Sequence, residues 1–334
     1  PETHVEILEL YRSWGLPINP LSKIAKNIEE CNEYFLTIID QREKLPYEID
    51  GVVYKINNIS KQTSLGQVSR APRWAIARKF PAEVGTTIVK TISFQVGRVG
   101  SITPVAEFVP VNIGGVTVSH ASIHNFDEID RLDVREGDTV KIKRAGDVIP
   151  QIISVEKEKR KQKSKKVIPP ASCPSCNSDL IKFEGETILR CTAGTLCPAQ
   201  KVESFIHFVS RNALNIDGLG ERIIALLVAN HLLKDFSDLF KLQAKELLNL
   251  EGFAEKSANN LIESIEASKE TTLPRLIYSL GIREVGEATA MNLAINFQNI
   301  ENFIACSQED LLEINDVGPI ASKFITDYLS DKVN

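Results

Sequence analysis

The sequence lacks long hydrophobic runs. No apolar stretch approaches the roughly 20 residues that a membrane-spanning helix requires, and the chain begins at Pro1 without an initiator methionine or the basic and apolar segments typical of a secretory signal. Hydrophobic residues make up 43% and charged residues 25% of the chain, which is typical of globular proteins. We therefore expect a cytoplasmic protein without a membrane partner, whose 334 residues form several domains and are a piece of a longer protein.

The sequence also lacks an excess of positive charge. Its 39 Lys and Arg residues against 44 Asp and Glu residues give a net charge of −5, which at first disfavours a nucleic-acid partner. The charge is uneven, however, since residues 83–170 hold 14 basic against 11 acidic residues, whereas residues 201–334 hold 12 against 20. Any phosphate binding by the C-terminal segment must therefore depend on backbone amides more than on side-chain cations.

Cysteine is scarce, and four of the six cysteines are clustered. Two residues separate Cys173 from Cys176, 14 separate Cys176 from Cys191, and five separate Cys191 from Cys197. This spacing is typical of Zn²⁺ held by four thiolates, and a zinc ion with four protein ligands has no open position for catalysis, so we expect a structural site. Two disulfides or an iron–sulfur cluster are less favoured alternatives, because a secretory signal and the ferredoxin spacing are both absent.

Helix-capping patterns open the chain. Thr3 and Asn27 each stand three residues before a glutamate, which predicts that a helix begins after each of them. In the second of these helices Cys31 shares an apolar face with Phe35, so we expect this cysteine to lie in the core.

Strand patterns follow. Runs of Val, Ile and Tyr predict one strand over residues 47–56 and another over residues 73–80, on either side of a polar loop. Between residues 83 and 155, short β-branched runs separated by Gly, Pro and Asn predict about five strands, which favours a small barrel. The charged run at 156–166, followed by two prolines, predicts a linker.

Four related segments recur in the C-terminal region: 216–220, 250–254, 282–286 and 314–318. Each holds an apolar residue, two variable residues, a second apolar residue and then Gly or Ala, ahead of an amphipathic run. The pattern is typical of a helix-hairpin-helix, in which a glycine lets the backbone approach a phosphate and the next helix offers N–H groups. Such contacts do not distinguish bases. The second segment ends in Ala254 and is the weakest DNA-binding candidate, whereas the others place Gly220, Gly286 and Gly318 at the expected contact.

Two N-terminal segments carry a family resemblance. Glu48-Ile-Asp-Gly-Val-Val-Tyr-Lys55 resembles motif IV of the covalent nucleotidyltransferases, and Arg73-Trp-Ala-Ile-Ala-Arg-Lys-Phe-Pro81 resembles motif V. Together with Gln95-Val-Gly-Arg-Val-Gly100 and Lys143-Arg-Ala-Gly-Asp-Val-Ile-Pro150, they resemble the bacterial-type NAD-dependent DNA ligases, and the likeness covers essentially the whole chain.

The resemblance implies a multidomain α+β protein. The expected domains are the C-terminal part of a nucleotidyltransferase (adenylation) domain, an OB-fold β-barrel, a four-cysteine zinc finger and an all-α helix-hairpin-helix domain. Their expected boundaries are 1–82, 83–168, 169–200 and 201–334.

The resemblance also implies an enzyme that seals nicks in double-stranded DNA during replication and repair. In this family a lysine attacks NAD and becomes adenylated, AMP passes to the 5′-phosphate of the nick, and the 3′-hydroxyl displaces AMP. By resemblance Lys55, Lys79 and Asp50 bind the nucleotide, and the two lysines neutralise charge that develops on phosphoryl oxygens. The implied cofactors are NAD, structural Zn²⁺ and catalytic Mg²⁺ or Mn²⁺, and a monomer is expected.

The spacing within motif IV poses a geometric problem. Asp50 and Lys55 are five residues apart and would face opposite sides of a regular strand, so we expect a bulge at Gly51 to restore a shared face. In motif V, Ala75 and Ala77 should share the face of Lys79 and leave room for a ligand, while Trp74 and Ile76 should point into the core. Arg78 replaces the aromatic residue usual in the family and has no assigned role.

The family's nucleophilic lysine lies in a Lys-x-Asp-Gly motif, which this chain does not contain. Glu48 and Asn215 stand where the lysine would be in the two similar Ile-Asp-Gly segments. We therefore expect the chain alone to be inactive, and we expect the NAD-specific N-terminal domain and the BRCT domain to lie outside it. For DNA, the expected side-chain contacts are Arg98, Lys143 and Arg144.

Two other functions remain open from the sequence. A non-catalytic DNA-binding module could use the barrel, the zinc finger and the hairpins to hold DNA for a partner. An ATP-dependent ligase or capping enzyme would share motifs IV and V, but the zinc site followed by four hairpins argues against it.

Overall fold

The computed structural model describes residues 1–68, 71–114, 116–144, 150–160, 164–183, 185–332 and 334, apart from the side chain of Arg144. The chain forms two compact units. The first comprises Pro1–Ser93 and Pro104–Val167, and the second comprises Phe94–Thr103 and Ile168–Asn334. Within the described part of the chain, no helix is both long enough and apolar enough to cross a membrane.

The first unit opens with helices whose caps match the sequence prediction. The side chains of Thr3 and Asn27 accept hydrogen bonds from the amides of Glu6 and Glu30, which satisfies N–H groups left open at each helix start. The first helix buries none of its residues, whereas the second buries Phe35 and leaves Cys31 only half-buried. The helices of this unit are α1 (His4–Ser13), α2 (Ile28–Gln41), α3 (Ile59–Leu65) and α4 (Phe126–Leu132).

Motifs IV and V form a two-stranded antiparallel ladder. Its strands are shorter than the sequence suggests, because the first begins only at Gly51 and the second only at Ala75. The pairing is regular, and therefore the expected bulge at Gly51 is wrong. A Cβ at Gly51 would lie 2.4 Å from the carbonyl oxygen of Arg78, so glycine is required by close strand contact. The strands are β1 (Gly51–Lys55) and β4 (Ala75–Lys79), and a short hairpin of β2 (Gln67–Val68) and β3 (Ala71–Pro72) precedes β4.

Helix α2 covers one face of this ladder. Arg78 places its guanidinium 3.8 Å from the centre of the Phe35 ring and donates a hydrogen bond of 2.9 Å to Asn32, which gives this residue a packing role on α2. Ile76 is 69% exposed. The expectation that Ile76 points into the core is therefore wrong: its partner on the same face, Tyr54 of β1, donates a hydrogen bond of 2.9 Å to the Cys31 carbonyl of α2, whereas Ile76 itself is left uncovered.

A five-stranded antiparallel sheet with the order β7-β6-β5-β8-β9 follows, as the run of short β-branched segments predicted. Alternate residues along its strands are buried, which gives the sheet one apolar face. Fully buried core positions include Val89, Phe108 and Ile142. The strands are β5 (Glu83–Val96), β6 (Ile102–Ile113), β7 (Val116–Ser122), β8 (Thr139–Arg144) and β9 (Gln151–Val155).

The charged run at 156–166 is attached to this sheet domain at Arg160. The guanidinium bonds to the carboxylates of Asp133 and Asp138, and its side chain is only 13% exposed. Asp138 is itself 1% exposed, so Arg160 neutralises a buried charge. The prediction of a linker is therefore wrong at this position, while residues 161–163 lie outside the described part of the chain.

The second unit contains a short zinc-finger-like hairpin followed by helices. The hairpin pairs Leu180 with Cys191 and Lys182 with Leu189. Its strands are β10 (Leu180–Lys182) and β11 (Leu189–Cys191), and the helices are α5 (Pro198–Val209), α6 (Glu221–Ala229), α7 (Phe236–Leu239), α8 (Ala244–Leu247), α9 (Glu255–Ala267), α10 (Leu273–Ser279), α11 (Glu287–Phe297), α12 (Ile300–Ile304), α13 (Gln308–Leu312) and α14 (Pro319–Ser330).

The four hairpin segments divide between two hydrophobic cores. The first core is built around Phe205, Leu227 and Leu247 and holds the first two segments. The second core is built around Leu293 and Phe303 and holds the last two. Each hairpin therefore packs with one neighbouring hairpin in a pair, an arrangement that the repeat spacing alone did not predict.

Candidate functional site

The two predicted pocket lysines lie on one face of the β1–β4 ladder. Gly51 pairs with Lys79 and Lys55 pairs with Ala75, and residues directly opposite each other in an antiparallel ladder share a face. These pairs are four steps apart along β1, which is about 13 Å at the rise of a strand. Both lysines are exposed, as are Ala77 and its partner Val53 between them, so the face is accessible and apolar between two cations.

Asp50 lies immediately before β1 and forms an ion pair with Lys79. Backbone pairing positions it, because the amide of Phe80 donates a hydrogen bond of 2.8 Å to the Asp50 carbonyl. The Asp50 and Lys79 side chains are 40% and 54% exposed, and exposed ion pairs contribute little stability. Lys79 can therefore exchange this carboxylate for a phosphate at small cost.

Lys55 has a different neighbour. Its Nζ lies 3.5 Å from Nε2 of His4, the first residue of α1. Burial, and then the charge of Lys55, lower the pKa of His4 below its ordinary value of 6.5, so the imidazole is neutral at pH 7 and can accept a hydrogen bond. No local sequence pattern indicates His4, because its contact with Lys55 spans 51 residues.

The four clustered cysteines meet in the second unit. Their sulfur atoms all lie within 4.8 Å of one another, with 3.5 Å between Cys176 and Cys191 and 3.9 Å between Cys173 and Cys197. Four thiolates around Zn²⁺ at the usual bond length of about 2.3 Å would stand about 3.8 Å apart. All six cysteines are free thiols, so the alternative of two disulfides is not present.

The protonation of the cluster also suits a divalent cation. Hydrogen bonds from Ser178 lower the pKa of the Cys176 thiol to about 6, whereas burial raises the pKa of the Cys191 thiol to about 12. Neighbouring thiolates repel one another, so a positive charge placed among them favours their ionised forms. The donor set and geometry thus fit a four-thiolate Zn²⁺ that supplies structure only.

The backbone of Cys191 connects the cluster to the loop between β5 and β6. The Cys191 amide donates a hydrogen bond of 2.8 Å to the carbonyl of Gly100, and the Gln200 side-chain amide donates one of 3.4 Å to the Cys191 carbonyl. Gly100 has a φ of +76°, and a Cβ there would lie 2.5 Å from the Cys191 carbonyl oxygen. The metal ligand therefore holds this glycine loop directly.

Arg98 belongs to the same loop but is turned inward. Its guanidinium donates a hydrogen bond to the carbonyl of Gly281 between α10 and α11, and burial lowers its pKa. This position does not support the predicted phosphate contact of Arg98. Lys143 is half-buried on β8, and the side chain of Arg144 and residues 145–149 lie outside the described part of the chain.

Each hairpin ends at a residue that caps the following helix. These residues all have extended backbones, with φ between −78° at Gly220 and −123° at Ala254. Apart from the glycine and its two chain neighbours, no described residue has an atom within 4 Å of a Cβ placed at Gly220, Gly286 or Gly318. Glycine at these caps is therefore required neither by φ nor by internal packing; it is a favoured N-cap residue, and the open space beside it would admit an external group.

The left-handed residue of each hairpin stands two positions earlier. Gly218 and Gly252 have φ of +88° and +90°, and Glu284 and Asp316 adopt φ of +65° at the same place. These positions make the turn, a division of roles between the two glycines that the sequence analysis missed.

The second helical position after each cap separates the two hairpin pairs. It is Arg222 and Lys256 in the first pair, both exposed, and Ala288 and Ile320 in the second pair. The first pair can therefore add side-chain cations to the helix N-termini, whereas the second pair has only backbone groups there. These cations could have been found from sequence by aligning the repeats one turn further.

The adenylation, barrel and zinc-finger segments each match a family model. The chain matches the NAD-dependent DNA ligase adenylation domain over residues 1–83, the NAD-dependent DNA ligase OB-fold domain over 86–164 and the NAD-dependent DNA ligase C4 zinc finger domain over 172–199. A SAM-like helix-hairpin-helix tandem matches residues 210–267, and a helix-hairpin-helix motif matches residues 275–334.

Curated relatives align along the entire chain. The DNA ligase of Saccharophagus degradans is 49% identical over all 334 residues, which cover 50% of that protein. The DNA ligase of Hahella chejuensis is 50% identical over the same length, which covers 49% of it, and that of Coxiella burnetii is 47% identical, with 50% covered. The chain thus spans about half the length of the curated relatives it matches.

Proposed function

Because this chain belongs to the NAD-dependent DNA ligase family, we propose that the gene product containing it seals nicks in duplex DNA with NAD as the adenylyl donor. The observation that carries the proposal is the exposed face of the β1–β4 ladder, where Lys55 and Lys79 lie on either side of the Val53–Ala77 pair. A phosphoanhydride bound there would have a fixed cation near each end of its site.

The proposed roles of the pocket residues follow from charge. Adenylyl transfer from NAD, transfer of AMP to the 5′-phosphate and attack by the 3′-hydroxyl all develop negative charge on phosphoryl oxygens. Lys55 and Lys79 stabilise that charge, and Asp50 holds Lys79 in place until a phosphate replaces it. Catalytic Mg²⁺ or Mn²⁺ requires oxygen ligands. Of the three predicted pocket residues only Asp50 offers one, and Lys79 engages it, so no step is assigned to the metal.

The proposed DNA clamp uses two kinds of contact. Gly220, Gly286 and Gly318 admit phosphates to the N-termini of the following helices, and Arg222 adds a cation to the first of these sites. Lys143 and Arg144 of β8 are proposed to contact the DNA backbone beside the barrel. Zn²⁺ held by Cys173, Cys176, Cys191 and Cys197 fixes the finger between the barrel loop and the hairpins. We assign the barrel to residues 83–168, the finger to 169–200 and the hairpins to 201–334, with a monomer as the acting species.

A ligation assay tests this proposal. The gene product containing the chain should seal a nicked duplex with NAD and not with ATP, and Lys55→Ala or Lys79→Ala should lower the rate about 100-fold, since a fixed cation at a developing charge contributes about 3 kcal/mol. Lys61→Ala on α3 is the matched control and should seal at the normal rate. DNA binding without sealing would favour a non-catalytic module, and sealing with ATP would favour the other ligase class.

A further inference from the structure

Lys55 is placed differently from Lys79. Lys79 has a carboxylate partner in Asp50, whereas within the described part of the chain Lys55 has no ion-pair partner. A lysine side chain without a fixed partner samples many rotamers and loses conformational entropy when a ligand immobilises it. A neutral hydrogen-bond acceptor beside Lys55 would reduce that cost without neutralising its charge.

His4 meets this requirement through the way in which α1 is anchored. The amide of His4 donates a hydrogen bond of 2.7 Å to the carbonyl of Asn57, and the amide of Val5 donates one of 3.1 Å to the Asn57 side chain. The amide of Ile59 donates one of 3.0 Å to the carbonyl of Glu2. The first turn of α1 is therefore fixed to the segment that directly follows motif IV. Lys55 is the last residue of motif IV and of strand β1.

The imidazole also contacts motif V. Its ring centre lies 6.2 Å from that of Trp74, and Trp74 is joined to the end of β1 by a hydrogen bond of 2.9 Å from the amide of Ile56. His4 thus stands at the end of the ladder where Lys55 pairs with Ala75, with motif IV on one side and motif V on the other. Contacts with motif IV, with motif V and with the segment at Asn57 and Ile59 place the His4 imidazole beside the Lys55 ammonium.

We propose that His4 is a positioning residue for the nucleotide phosphate: its neutral Nε2 accepts a hydrogen bond from the Lys55 ammonium and directs the other two N–H groups toward the pocket face. This inference rests on the proposed function, because that function assigns the nucleotide phosphate to Lys55. A protonated imidazole could not accept this bond, and the pKa of His4, lowered by burial and by Lys55, keeps the acceptor available at neutral pH.

The test compares two substitutions of similar size in the gene product containing the chain. His4→Gln retains a strong acceptor at the distance of Nε2, and His4→Met leaves only a weakly accepting thioether. Single-turnover adenylation with NAD should be about tenfold slower in His4→Met, as expected for loss of one charged hydrogen bond, and within about twofold of the unmodified rate in His4→Gln. In a Lys55→Ala background, His4→Met should cause no further loss, because His4 acts only through Lys55.

Three results would overturn the inference: an unchanged rate in His4→Met, an equal loss in His4→Gln, or a further loss in the Lys55→Ala background. Thermal unfolding of each variant separates these results from misfolding. An NMR titration of His4 tests its contact with Lys55 independently of activity. If the protein does not react with NAD, that result contradicts the proposed function and not the contact. Lys55→Met should raise the measured pKa of His4, and an unchanged value would refute the pairing.

Discussion

At the scale of single residues, the hairpin glycines fall into two kinds with different physical reasons. Gly218 adopts a φ of +88°, which side chains rarely tolerate, whereas Gly220 has a φ of −78° and open space around its Cβ position. Ala254 occupies the equivalent cap in the second hairpin, so alanine is compatible with that backbone. The first glycine serves folding, and the second serves the proposed phosphate contact.

This difference predicts opposite effects of the same substitution. Gly218→Ala should lower the free energy of unfolding by about 1–2 kcal/mol because of left-handed strain. Gly220→Ala should leave it within about 0.5 kcal/mol but weaken DNA binding about fivefold, because a methyl group separates the backbone from the phosphate. Chemical denaturation and fluorescence anisotropy measure the two quantities. Equal DNA affinity for Gly220→Ala and the unmodified chain would refute the assignment.

Asp133 gives a residue-scale prediction for pH. Hydrogen bonds from Arg160, and then from Arg135, lower the pKa of Asp133 from 3.8 to about 2. A carboxylate with a depressed folded pKa stabilises the protein above its unfolded pKa, and this contribution is lost as the pH falls from about 5 toward 2. Asp133→Asn should therefore cost about 1–2 kcal/mol at pH 7 and almost nothing near pH 2.

Asp133→Asn should not strain the backbone, because the φ of +51° at this position is a conformation that Asn accepts readily. The matched control is Asp130→Asn, whose pair with Lys166 has side chains 66% and 64% exposed and should not affect stability. Urea denaturation across the pH range measures both. A constant difference between Asp133→Asn and the unmodified chain from pH 7 to pH 2 would contradict the linkage.

At the scale of elements, the sequence predicted what short-range chemistry determines. Thr3 and Asn27 cap their own helices, so a four-residue pattern contains the whole interaction. The cysteine spacing and the four hairpin repeats span more of the chain, but each is a regular pattern that the sequence itself displays, and both were confirmed as structural arrangements.

The features that the sequence did not predict depend on partners that are distant along the chain. Gly51 packs against the backbone of Arg78, and Arg160 pairs with Asp138, a residue 22 positions away. Ile76 has an apolar side chain, but its exposure is decided by the place at which α2 crosses the ladder. His4 was missed for the same reason. No window of adjacent residues contains any of these contacts.

The zinc finger gives a prediction at this scale. The reduced chain should contain one zinc ion, and Cys191→Ser should remove it and loosen the loop at Gly100, since Cys191 supplies both a sulfur ligand and the amide that binds the Gly100 carbonyl. Cys306→Ser, outside the cluster, should retain full zinc content. Elemental analysis and limited proteolysis are the measurements, and a zinc content near zero in undialysed, reduced protein would refute the site.

At the scale of the whole molecule, the proposed DNA clamp requires an acidic hairpin region to bind a polyanion. Residues 201–334 carry 12 basic against 20 acidic side chains, so most phosphate contacts are assigned to helix N-termini. These contacts do not distinguish bases. Binding should therefore be independent of DNA sequence, and its salt dependence should be carried by the few cations beside the hairpins and on the barrel.

Salt titrations test this distribution. Arg222→Ala should reduce the slope of log affinity against log salt by about one unit without changing the ranking of unrelated nicked duplexes. Arg98→Ala should instead lower the melting temperature and leave the slope unchanged, because its guanidinium binds the Gly281 carbonyl. A strong preference among unrelated duplexes, or a reduced slope for Arg98→Ala alone, would contradict this assignment.

The central claim is that this chain provides phosphate cations and a DNA clamp to a ligase whose nucleophilic lysine is not among these 334 residues. The most direct measurement is incubation with NAD radiolabelled on the adenylyl phosphate, followed by detection of an acid-labile labelled protein. The gene product containing the chain should be labelled and should pass the label to nicked DNA, while the 334-residue chain alone should remain unlabelled because Glu48 and Asn215 cannot form the phosphoramide. A labelled band on the 334-residue chain, or none on the gene product, would contradict the account.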